Sequence, residues 1–458
     1  MAGALKLRDG ARIAVIGGGP AGAFFSHFAI KSARETGQDL SVTIFDGKDF
    51  LRQGPSGCNL CAGVIAENLN LKLCEEGIVL PEKRIINRVA GYTLHLKDKT
   101  LRLTPEDDAS GGIATVFRGN GPRYSQFPDI VSFDDFLLTW AQDCGAELVR
   151  EPVQGIELPR NRRFPIRLLF GKGESVSEFN ADLVVGAFGL HSPLLRTAQD
   201  LGFGYKPPRV GTTAQAEFRL GFDATRDLFG DTIHVFIFNS SPIRYATITP
   251  KGDFVTVTII GRRKASADLL REFISSDAVR GRIPFRQPHC FCFPKIARTA
   301  SRRPFTDRFV IIGDASFSRH YKNGLESAFL TARLAAETAV FRGLDSRSFA
   351  VGYLKPASRR IIRDNRYGRF LFRLNDAAVS VGFLAGLPID LAENDDDSFV
   401  ANRLRHMLWH MFTGNIPYKR IFRMLVDPKL QIRLLWRTIR LPLTRVARRT
   451  VKKGGSRK

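Results

Sequence analysis

The feature that most constrains the fold is a glycine-rich turn between a strand and a helix near the N-terminus. Residues 12–16 have strand character and lead into Gly17-Gly18-Gly19-Pro20-Ala21-Gly22, which matches G-x-G-x-x-G. In such turns the first glycine bends sharply, the second admits a pyrophosphate and the third lets helix and strand pack closely. A second strand, residues 41–46, ends in an acid that can accept a ribose hydroxyl. The pattern predicts a βαβ dinucleotide-binding domain with these cofactor-binding residues: Gly17, Gly19, Pro20, Ala21, Gly22 and Asp46.

The composition narrows the class of protein and its compartment. The chain has 458 residues, 44% hydrophobic and 25% charged, as in globular proteins of more than one domain. No stretch approaches about 18 consecutive apolar residues, so we expect no spanning helix. The first ten residues are too short and too charged for a secretory signal. Six cysteines do not form a disulfide framework, so we expect a reducing, cytoplasmic compartment.

A second motif lies almost 300 residues after the first. Residues 307–315 read as a buried strand that ends in Gly313-Asp314-Ala315. This segment resembles the flavin-closing motif of the FAD-dependent para-hydroxybenzoate hydroxylase-like superfamily. The resemblance implies that the aspartate accepts hydroxyls of the ribityl chain and that the next helix points its N-terminus at the flavin. It adds four residues to the cofactor set: Gly313, Asp314, Asn323 and Gly324.

A third segment of the superfamily lies between these motifs. Residues 182–192 resemble a strand that ends in Gly-Ala-Asp-Gly-x-x-Ser, but Phe188 occupies the aspartate position. In the superfamily that aspartate has been linked to NAD(P)H contacts. We therefore consider two reductants, NAD(P)H and a ferredoxin-like carrier, and expect the carrier to serve better.

Within the superfamily, residues 56–64 resemble the Cys-Gly-Gly/Asp loop that lies beside the flavin in geranylgeranyl reductases. The best alignment is Cys61-Ala62-Gly63. We call residues 56–64 the flavin loop. The resemblance assigns Gly63 to cofactor binding and makes Cys61 a catalytic candidate.

Residues 245–250 resemble the Tyr-x-Trp-x-Phe-Pro motif of the same enzymes. Tyr245 and Pro250 fit the motif and become substrate-binding candidates, whereas Thr247 and Thr249 replace the Trp and Phe. Flavin halogenases share the fold, but their Trp-x-Trp-x-Ile-Pro motif is absent.

Cysteines and one histidine leave several interpretations open. Cys58-x-x-Cys61 and Cys290-x-Cys292 suit simple packing, a thiol near the flavin, or a metal or disulfide site. We assign no metal. His320 is a second catalytic candidate because it lies in the loop before the predicted flavin helix, although a core histidine is the alternative.

The C-terminal tail carries most of the positive charge. Residues 403–458 contain 16 Lys/Arg and a single acid, Asp427, while the whole chain has a net charge of +24. Leucines, isoleucines and Trp436 are interleaved with the arginines, which is typical of a helix at an anionic membrane surface. A helix packed on the protein with a solvated basic face is the alternative. No recognition motif accompanies the charge, so we expect no specific nucleic acid.

Together these features predict an α/β fold: a Rossmann-like FAD-binding domain, an inserted antiparallel β-sheet substrate domain and a C-terminal helical region. The expected boundaries are 1–90, 127–200 and 300–345 for the discontinuous FAD domain, 91–126 and 201–299 for the sheet domain, and 346–458 for the helical, basic region.

The resemblance implies an FAD-dependent oxidoreductase that passes hydride from reduced flavin N5 to a C=C bond of a large apolar, isoprenoid- or lipid-like substrate. An FAD-dependent monooxygenase of the same fold and a membrane-docked flavoprotein without robust turnover stay open as alternatives. The tail also leaves open a peripheral position on the cytoplasmic membrane face.

Overall fold

The structure is a computed structural model that describes residues 5–96, 99–105, 112–238, 241–283, 287–321, 323–380 and 398–436. These residues form twenty β-strands: β1 (Ala11–Ile16), β2 (Leu40–Phe45), β3 (Val64–Ile65), β4 (Asn87–Val89), β5 (Gly91–Leu96), β6 (Lys99–Leu103), β7 (Ile113–Thr115), β8 (Glu147–Val149), β9 (Val153–Glu157), β10 (Ile166–Lys172), β11 (Ser175–Ala181), β12 (Leu183–Gly186), β13 (Val210–Arg219), β14 (Thr232–Ile237), β15 (Ile243–Lys251), β16 (Phe254–Gly261), β17 (Cys290–Cys292), β18 (Lys295–Ala297), β19 (Phe305–Thr306) and β20 (Phe309–Ile311).

The helices are α1 (Pro20–Glu35), α2 (Glu67–Glu75), α3 (Phe133–Asp143), α4 (Leu194–Asp200), α5 (Phe222–Phe229), α6 (Ala267–Ser275), α7 (Gly324–Phe341), α8 (Ser346–Phe349), α9 (Lys355–Ala357), α10 (Asp364–Ser380), α11 (Ser398–Thr413) and α12 (Tyr418–Leu425). Residues 428–436 are also helical. Short 3-10 turns cover Gly54–Ser56, Glu82–Arg84 and Gly313–Ala315, and π-helical turns cover Ala350–Leu354 and Ser358–Ile362.

A six-stranded sheet in the order β19-β20-β12-β1-β2-β8 forms the centre of the cofactor-binding half. Its strands are parallel apart from the edge strand β19. Strands β1, β12 and β20 are short apolar runs buried on both faces, as expected for a parallel sheet covered by helices. Because parallel strands end at the same edge, Gly17, Ala187 and Gly313 come together beyond β1, β12 and β20.

Helices α1 and α7 pack against each other on one face of this sheet. Phe329 of α7 makes edge-to-face contacts with Phe24 and Phe28 of α1, with ring centroids 5.3 and 5.1 Å apart. Both helices bury small residues between the aromatics. Their packing brings the two distant cofactor motifs to one place.

A second sheet has the order β17-β13-β16-β15-β14-β5-β6, with β18 also paired to β13. It is antiparallel apart from the parallel pair β14–β5. Alternation along β13 directs Ala214 and Ala216 into an apolar core with Leu270 and Phe273 of α6. The opposite face of this sheet carries polar residues and faces the flavin loop.

The C-terminal helices pack on the edge of the second sheet. Trp409 of α11 meets Tyr92 of β5 edge to face, with ring centroids 5.9 Å apart, and Leu371 and Phe372 of α10 join the same core. Among the described residues, no helix is both long enough and apolar enough to cross a bilayer. The predicted α/β fold with an inserted antiparallel sheet and a helical C-terminal region is thus confirmed, apart from the parallel pair β14–β5 in that sheet.

Candidate functional site

The turn between β1 and α1 is built by backbone constraints. Gly17 has φ +110°, and a Cβ there would lie 2.6 Å from the Ala187 carbonyl oxygen. A Cβ on Gly22 would lie 1.9 Å from the Gly17 carbonyl oxygen. On Gly19, by contrast, a Cβ would approach only the Asn59 amide nitrogen, at 3.1 Å. Gly17 and Gly22 therefore hold the turn together, whereas Gly19 leaves open space in front of it.

The N-terminus of α1 faces that open space with free donors. Pro20 occupies the first turn, and Gly19 caps the helix without a side-chain hydrogen bond. The first turn contains no acidic residue that could neutralise the positive end of the helix dipole. Free N–H groups and an uncompensated dipole together suit a phosphate group.

The second motif lies against the first. A Cβ on Gly313, which has φ +65°, would lie 2.9 Å from Cβ of Ala21. The Gly313 N–H donates to the Thr331 hydroxyl of α7 at 3.0 Å. Gly324 opens α7 beside Asp314, because a Cβ there would lie 3.5 Å from Oδ1 of that aspartate. The structure thus brings together two motifs that are distant in the chain.

Asp314 carries a buried carboxylate oxygen, Oδ1. Its Oδ1 makes no hydrogen bond within the described structure. Burial raises the pKa of Asp314, and the Ser318 hydroxyl and the Arg118 charge offset part of that rise. Buried acceptors are rarely left unpaired, so a ligand hydroxyl at this place would satisfy Oδ1. The residue fits the ribityl-binding role expected for it.

Asp46 ends β2 next to the glycine turn. Its Oδ2 accepts the Gly18 N–H at 2.7 Å, and its Oδ1 accepts the Lys48 N–H at 2.8 Å. Burial raises the pKa of Asp46, and these two hydrogen bonds lower it in part. The carboxylate therefore braces the turn and lies beside the place expected for a ribose.

The flavin loop packs tightly between the two halves of the molecule. Gly63 has φ +66°, and a Cβ there would lie 2.0 Å from the Val116 carbonyl oxygen. The Cys61 thiol accepts the Gly63 N–H at 3.5 Å, and the Cys61 carbonyl accepts the Gln215 amide at 3.5 Å. The loop is thereby attached to β13 of the second sheet.

A buried ion pair beneath the loop was not foreseen from the sequence. Arg118 donates through Nε to Oδ1 of Asp134 at 2.5 Å, and Asn59 of the flavin loop donates to Oδ2 of the same aspartate. Burial alone would lower the pKa of Arg118, but the Asp134 carboxylate outweighs it and the net pKa is raised. The one available signal was the pair of acids, Asp134 and Asp135, in the first turn of an otherwise largely apolar α3.

A small cavity of about 30 Å³ lies between the flavin loop, the segment after β7 and the second sheet. We call it the central cavity. Its lining residues are Gly54, Pro55, Cys58, Leu60, Cys61, Phe117, Arg118, Gly119, Gly121, Pro122, Gln215, Glu217, Lys251, Cys290 and Cys292. Within the described ranges, no three His, Cys, Asp or Glu side chains are arranged to hold a metal ion.

Two buried charged groups stand out in the cavity wall. Glu217 accepts the Thr256 hydroxyl at 2.8 Å, and burial raises the pKa of this carboxyl although Lys251 lowers it in part. Lys251 is only 1% exposed, and its Nζ lies 4.6 Å from the centroid of the Phe117 ring. A carboxyl with a raised pKa beside a buried cation can hold or release a proton in an apolar site.

His320 lies away from the central cavity. Its backbone N–H donates to Asn365 at 2.9 Å, and its ring packs against Phe372 with centroids 5.7 Å apart. Burial, reinforced by Arg369 and other arginines, lowers the pKa of His320 to about 4. The imidazole is therefore neutral near pH 7, and it faces the C-terminal helices.

The remaining predicted residues are spread along the edges of the site. Tyr245 of β15 packs in the core shared with the C-terminal helices, and burial raises its pKa. Pro250 lies near the end of the same strand, and its carbonyl accepts the Thr115 hydroxyl at 3.4 Å. Asn323 caps α7 in a left-handed conformation and donates to Glu326 at 3.0 Å. The described lining of the central cavity includes none of these three residues.

Comparison with known proteins supports the fold through structure alone. No family model and no curated protein matches the sequence. A geranylgeranyl bacteriochlorophyll reductase-like protein from Thermoplasma acidophilum superposes with a TM-score of 0.63 at 15% identity, covering 91% of this chain and 98% of that one. The chain has the fold of a flavoprotein.

Two further solved structures extend the range of chemistry found on this fold. The flavin-dependent brominase Bmp2 gives a TM-score of 0.62 at 15% identity, over 91% of this chain and 98% of that chain. PqsL, a probable FAD-dependent monooxygenase from Pseudomonas aeruginosa, superposes with a TM-score of 0.56 at 16% identity. The match covers 82% of this chain and 99% of that one. The fold thus carries reductase-like, halogenating and oxygenating proteins, and it does not by itself choose among them.

Proposed function

We propose that this chain is an FAD-dependent oxidoreductase that reduces a C=C bond of a large apolar, isoprenoid- or lipid-like substrate. The observation that carries the proposal is that the open Gly19 turn lies near Oδ1 of Asp314, a buried oxygen with no hydrogen-bond partner among the described residues. These two features fit the pyrophosphate and the ribityl chain of one FAD molecule. When bound, FAD supplies the hydride.

The chain's own residues would bind and orient the cofactor, and one of them would supply a proton. The N-terminus of α1 would hold the phosphates, and Asp314 would fix the ribityl chain. Phe117 and Leu60 would help to exclude water from the central cavity. Glu217 would keep a proton at its carboxyl for the carbon that does not receive hydride, because its pKa is raised by burial.

The test begins with FAD-loaded protein, reduced anaerobically with dithionite and mixed with geranylgeranyl-type lipids. Reduction of a C=C bond should appear as a mass gain of two hydrogens together with return of oxidised flavin absorbance. Consumption of O2 with incorporation of one oxygen atom would instead establish a monooxygenase. Stable reduced flavin in both trials would favour a flavoprotein without robust turnover.

The electron donor is a separate proposal. Phe188 is an apolar, partly buried residue where related strands carry an aspartate, so we expect poor contacts for a nicotinamide. NADPH should therefore reduce the flavin much more slowly than about 10 s⁻¹, a typical turnover rate, while a ferredoxin-like carrier does better. Stopped-flow reduction by NADPH at turnover rates would contradict this expectation.

We also propose that the C-terminal tail binds anionic membranes, where an apolar substrate would be dissolved. The support is one face of the helix at residues 428–436: Ile432, Leu435 and Trp436 are 58%, 63% and 60% exposed. Ile439 and the tail arginines from Arg437 onwards lie outside the described residues. Each basic residue near such a surface would add about 1 kcal/mol.

Vesicle co-sedimentation tests the membrane proposal with full-length protein, a truncation after Pro428 and the point variant Trp436→Ser. Binding should require anionic lipid, weaken with salt, fall in the point variant and nearly vanish on truncation. Equal binding by the full-length and truncated proteins would favour a packed helix with a solvated basic face.

A further inference from the structure

One face of the second sheet is polar although it is buried. Side chains alternate between the two faces of a strand, and on β13, β15 and β16 one face packs in an apolar core. The other face carries Gln215, Glu217, Thr249, Lys251 and Thr256, none of them more than 8% exposed. Polar groups are costly to bury without partners, so each of these side chains needs one.

Two of these side chains find partners on the neighbouring strand β16. The Thr256 hydroxyl donates to Glu217 at 2.8 Å, and the Thr258 hydroxyl donates to the side-chain oxygen of Gln215 at 3.3 Å. Lys251 differs from them, because no oxygen of the described residues accepts a hydrogen bond from its Nζ. A ligand that brings an oxygen to this ammonium would therefore be held there.

Lys251 borders both the central cavity and the flavin loop. Its side chain is 1% exposed, and the ring of Phe117 covers the cation at 4.6 Å from Nζ to the ring centroid. A Cβ on Gly63 of the flavin loop would lie 3.2 Å from the same Nζ. The cation thus lies beside the loop that is expected to lie against the flavin.

The size of the central cavity limits what can enter it. A volume of about 30 Å³ admits about two water-sized groups. A carbonyl group fits in that space, whereas a prenyl or acyl chain does not. The central cavity therefore suits one small polar group of a substrate, and the apolar chain must lie elsewhere.

The chemistry of C=C reduction gives such a polar group a purpose. Hydride addition to an isolated C=C bond leaves its electron pair on carbon without stabilisation. When the C=C bond is conjugated with a carbonyl, the pair moves to the carbonyl oxygen instead. A fixed cation in a site without bulk water stabilises that developing charge strongly.

We propose that the central cavity binds the carbonyl oxygen of a substrate whose reducible C=C bond is conjugated with that carbonyl, and that Lys251 pairs with this oxygen as a catalytic residue. As hydride adds to the carbon β to the carbonyl, the C=C electron pair shifts towards the oxygen and an enolate forms beside the ammonium. The α carbon then takes the proton held by Glu217, and the C=O bond is restored. The substrate gains one hydride and one proton, and solvent returns a proton to Glu217. This inference rests on the proposed function and names its substrate class.

The first experiment needs no substrate. Lys251→Met removes the charge and keeps the shape of the side chain. It should melt at or above the temperature of the parent, because a buried cation without an acceptor does not stabilise the fold. It should also bind FAD as tightly as the parent does. The control is Lys172→Met, at an exposed position at the end of β10.

Two outcomes of this first experiment would overturn the proposal. A lower melting temperature in Lys251→Met than in Lys172→Met would make Lys251 a structural residue. Weaker FAD binding by Lys251→Met alone would assign the ammonium to the cofactor rather than to the substrate.

The second experiment measures the contact with the carbonyl and needs no turnover. Geranylacetone, an isoprenoid ketone whose C=C bonds are all isolated, is bound to oxidised holoprotein and its C=O stretch is recorded by infrared difference spectroscopy. The frequency should be lower in the parent and in Lys172→Met than in Lys251→Met, because a cation polarises the C=O bond. Equal frequencies in the three proteins would contradict a contact between Lys251 and the carbonyl.

The third experiment compares two substrates with one carbon skeleton. Pseudoionone has a C=C bond conjugated with its ketone, whereas geranylacetone does not. Dithionite-reduced, anaerobic holoprotein should add two hydrogens to pseudoionone and leave geranylacetone unchanged, as measured by mass spectrometry. Lys251→Met should slow this reduction by about 10²–10³-fold, as expected for the loss of one group that stabilises an oxyanion, and Lys172→Met should not.

The outcomes of this comparison separate the inference from the proposed function. Equal reduction of both ketones, or reduction of geranylgeranyl-type lipids without reduction of pseudoionone, would overturn the carbonyl requirement and leave the reductase in place. Flavin-loaded protein that reduces none of these compounds would instead count against the proposed function itself.

Discussion

The glycine turn and the central cavity are built by different means although they adjoin each other. The turn is defined by backbone positions without side chains, since Gly17 and Gly22 leave no room for a Cβ. The cavity is defined by buried charged and polar side chains, among them Arg118, Glu217 and Lys251. Backbone requirements leave a motif in the sequence, whereas side-chain pairs from distant segments do not. This difference explains why cofactor class is easier to infer than substrate.

The largest effects are expected from two substitutions in the glycine turn, which act in different ways. Gly17→Val and Gly19→Val should both abolish FAD binding. Gly17→Val should also unfold the turn, because its Cβ would meet the Ala187 carbonyl and its φ is +110°. Gly19→Val should leave a folded apoprotein, since a Cβ there approaches only the Asn59 amide.

Flavin absorbance after gel filtration and thermal melting would separate these outcomes. Gly37→Asn is a matched control, since Gly37 has φ +66° and open space around it. Recovery of fully flavin-loaded Gly19→Val protein would show that the turn does not hold a pyrophosphate.

The second largest effect is expected from a substitution that breaks the buried ion pair beside the central cavity. Asp134→Asn should destabilise the protein by about 3–5 kcal/mol, because it leaves the buried Arg118 cation without its carboxylate. Asp231→Asn removes a carboxylate from an exposed pair with Arg102 and should cost less than about 1 kcal/mol. Urea unfolding of both variants measures the loss of unfolding free energy. Equal losses would contradict the expectation that the buried pair stabilises the protein more than the exposed pair does.

A third prediction concerns His320, which packs against the C-terminal helices. Its pKa is about 4 when folded against an ordinary 6.5, so on acidification the unfolded chain binds the proton first. Stability should therefore fall between about pH 6.5 and pH 4, with a contribution on the order of 3 kcal/mol from this residue. His320→Phe should reduce that acid loss in pH-dependent melting, whereas His191→Phe at an exposed position should retain most of it. An unchanged acid limb in His320→Phe would contradict the buried neutral histidine.

The smallest effect is expected from a substitution of Asp314. Asp314→Ala should weaken FAD binding by about 1.5–3 kcal/mol, through loss of a charged hydrogen-bond acceptor. The same change should cost the apoprotein little stability, because Oδ1 of Asp314 is buried and has no hydrogen-bond partner among the described residues.

Asp345→Ala is the control for Asp314→Ala, since Asp345 caps α8 and should affect stability alone. Titration of the apoproteins with FAD gives the dissociation constants. If Asp314→Ala binds FAD as tightly as the parent, Gly313-Asp314 is only a turn.

The sequence by itself determined the elements whose signals are local. The glycine run, the apolar strand before it and the strand ending in Gly313-Asp314 predicted three elements of the cofactor-binding half: β1, α1 and β20. A steric rule that acts within a few residues of the backbone can be read without knowledge of the fold. Residues 212–261 alternate between apolar and polar positions and are rich in Val, Ile, Thr and Phe, a local pattern that is typical of antiparallel strands.

Only the tertiary structure decided what lies next to the flavin loop. The pairing of Arg118 with Asp134 and the register that sets Cys292 opposite Gln215 depend on how sheets and loops pack together. His320 lies in the loop before α7, and only the fold shows that its ring packs against Phe372 of α10. Contacts between separate segments of the chain leave no periodic signal in one sequence, because their energy comes from burial and pairing that exist only once the chain has folded.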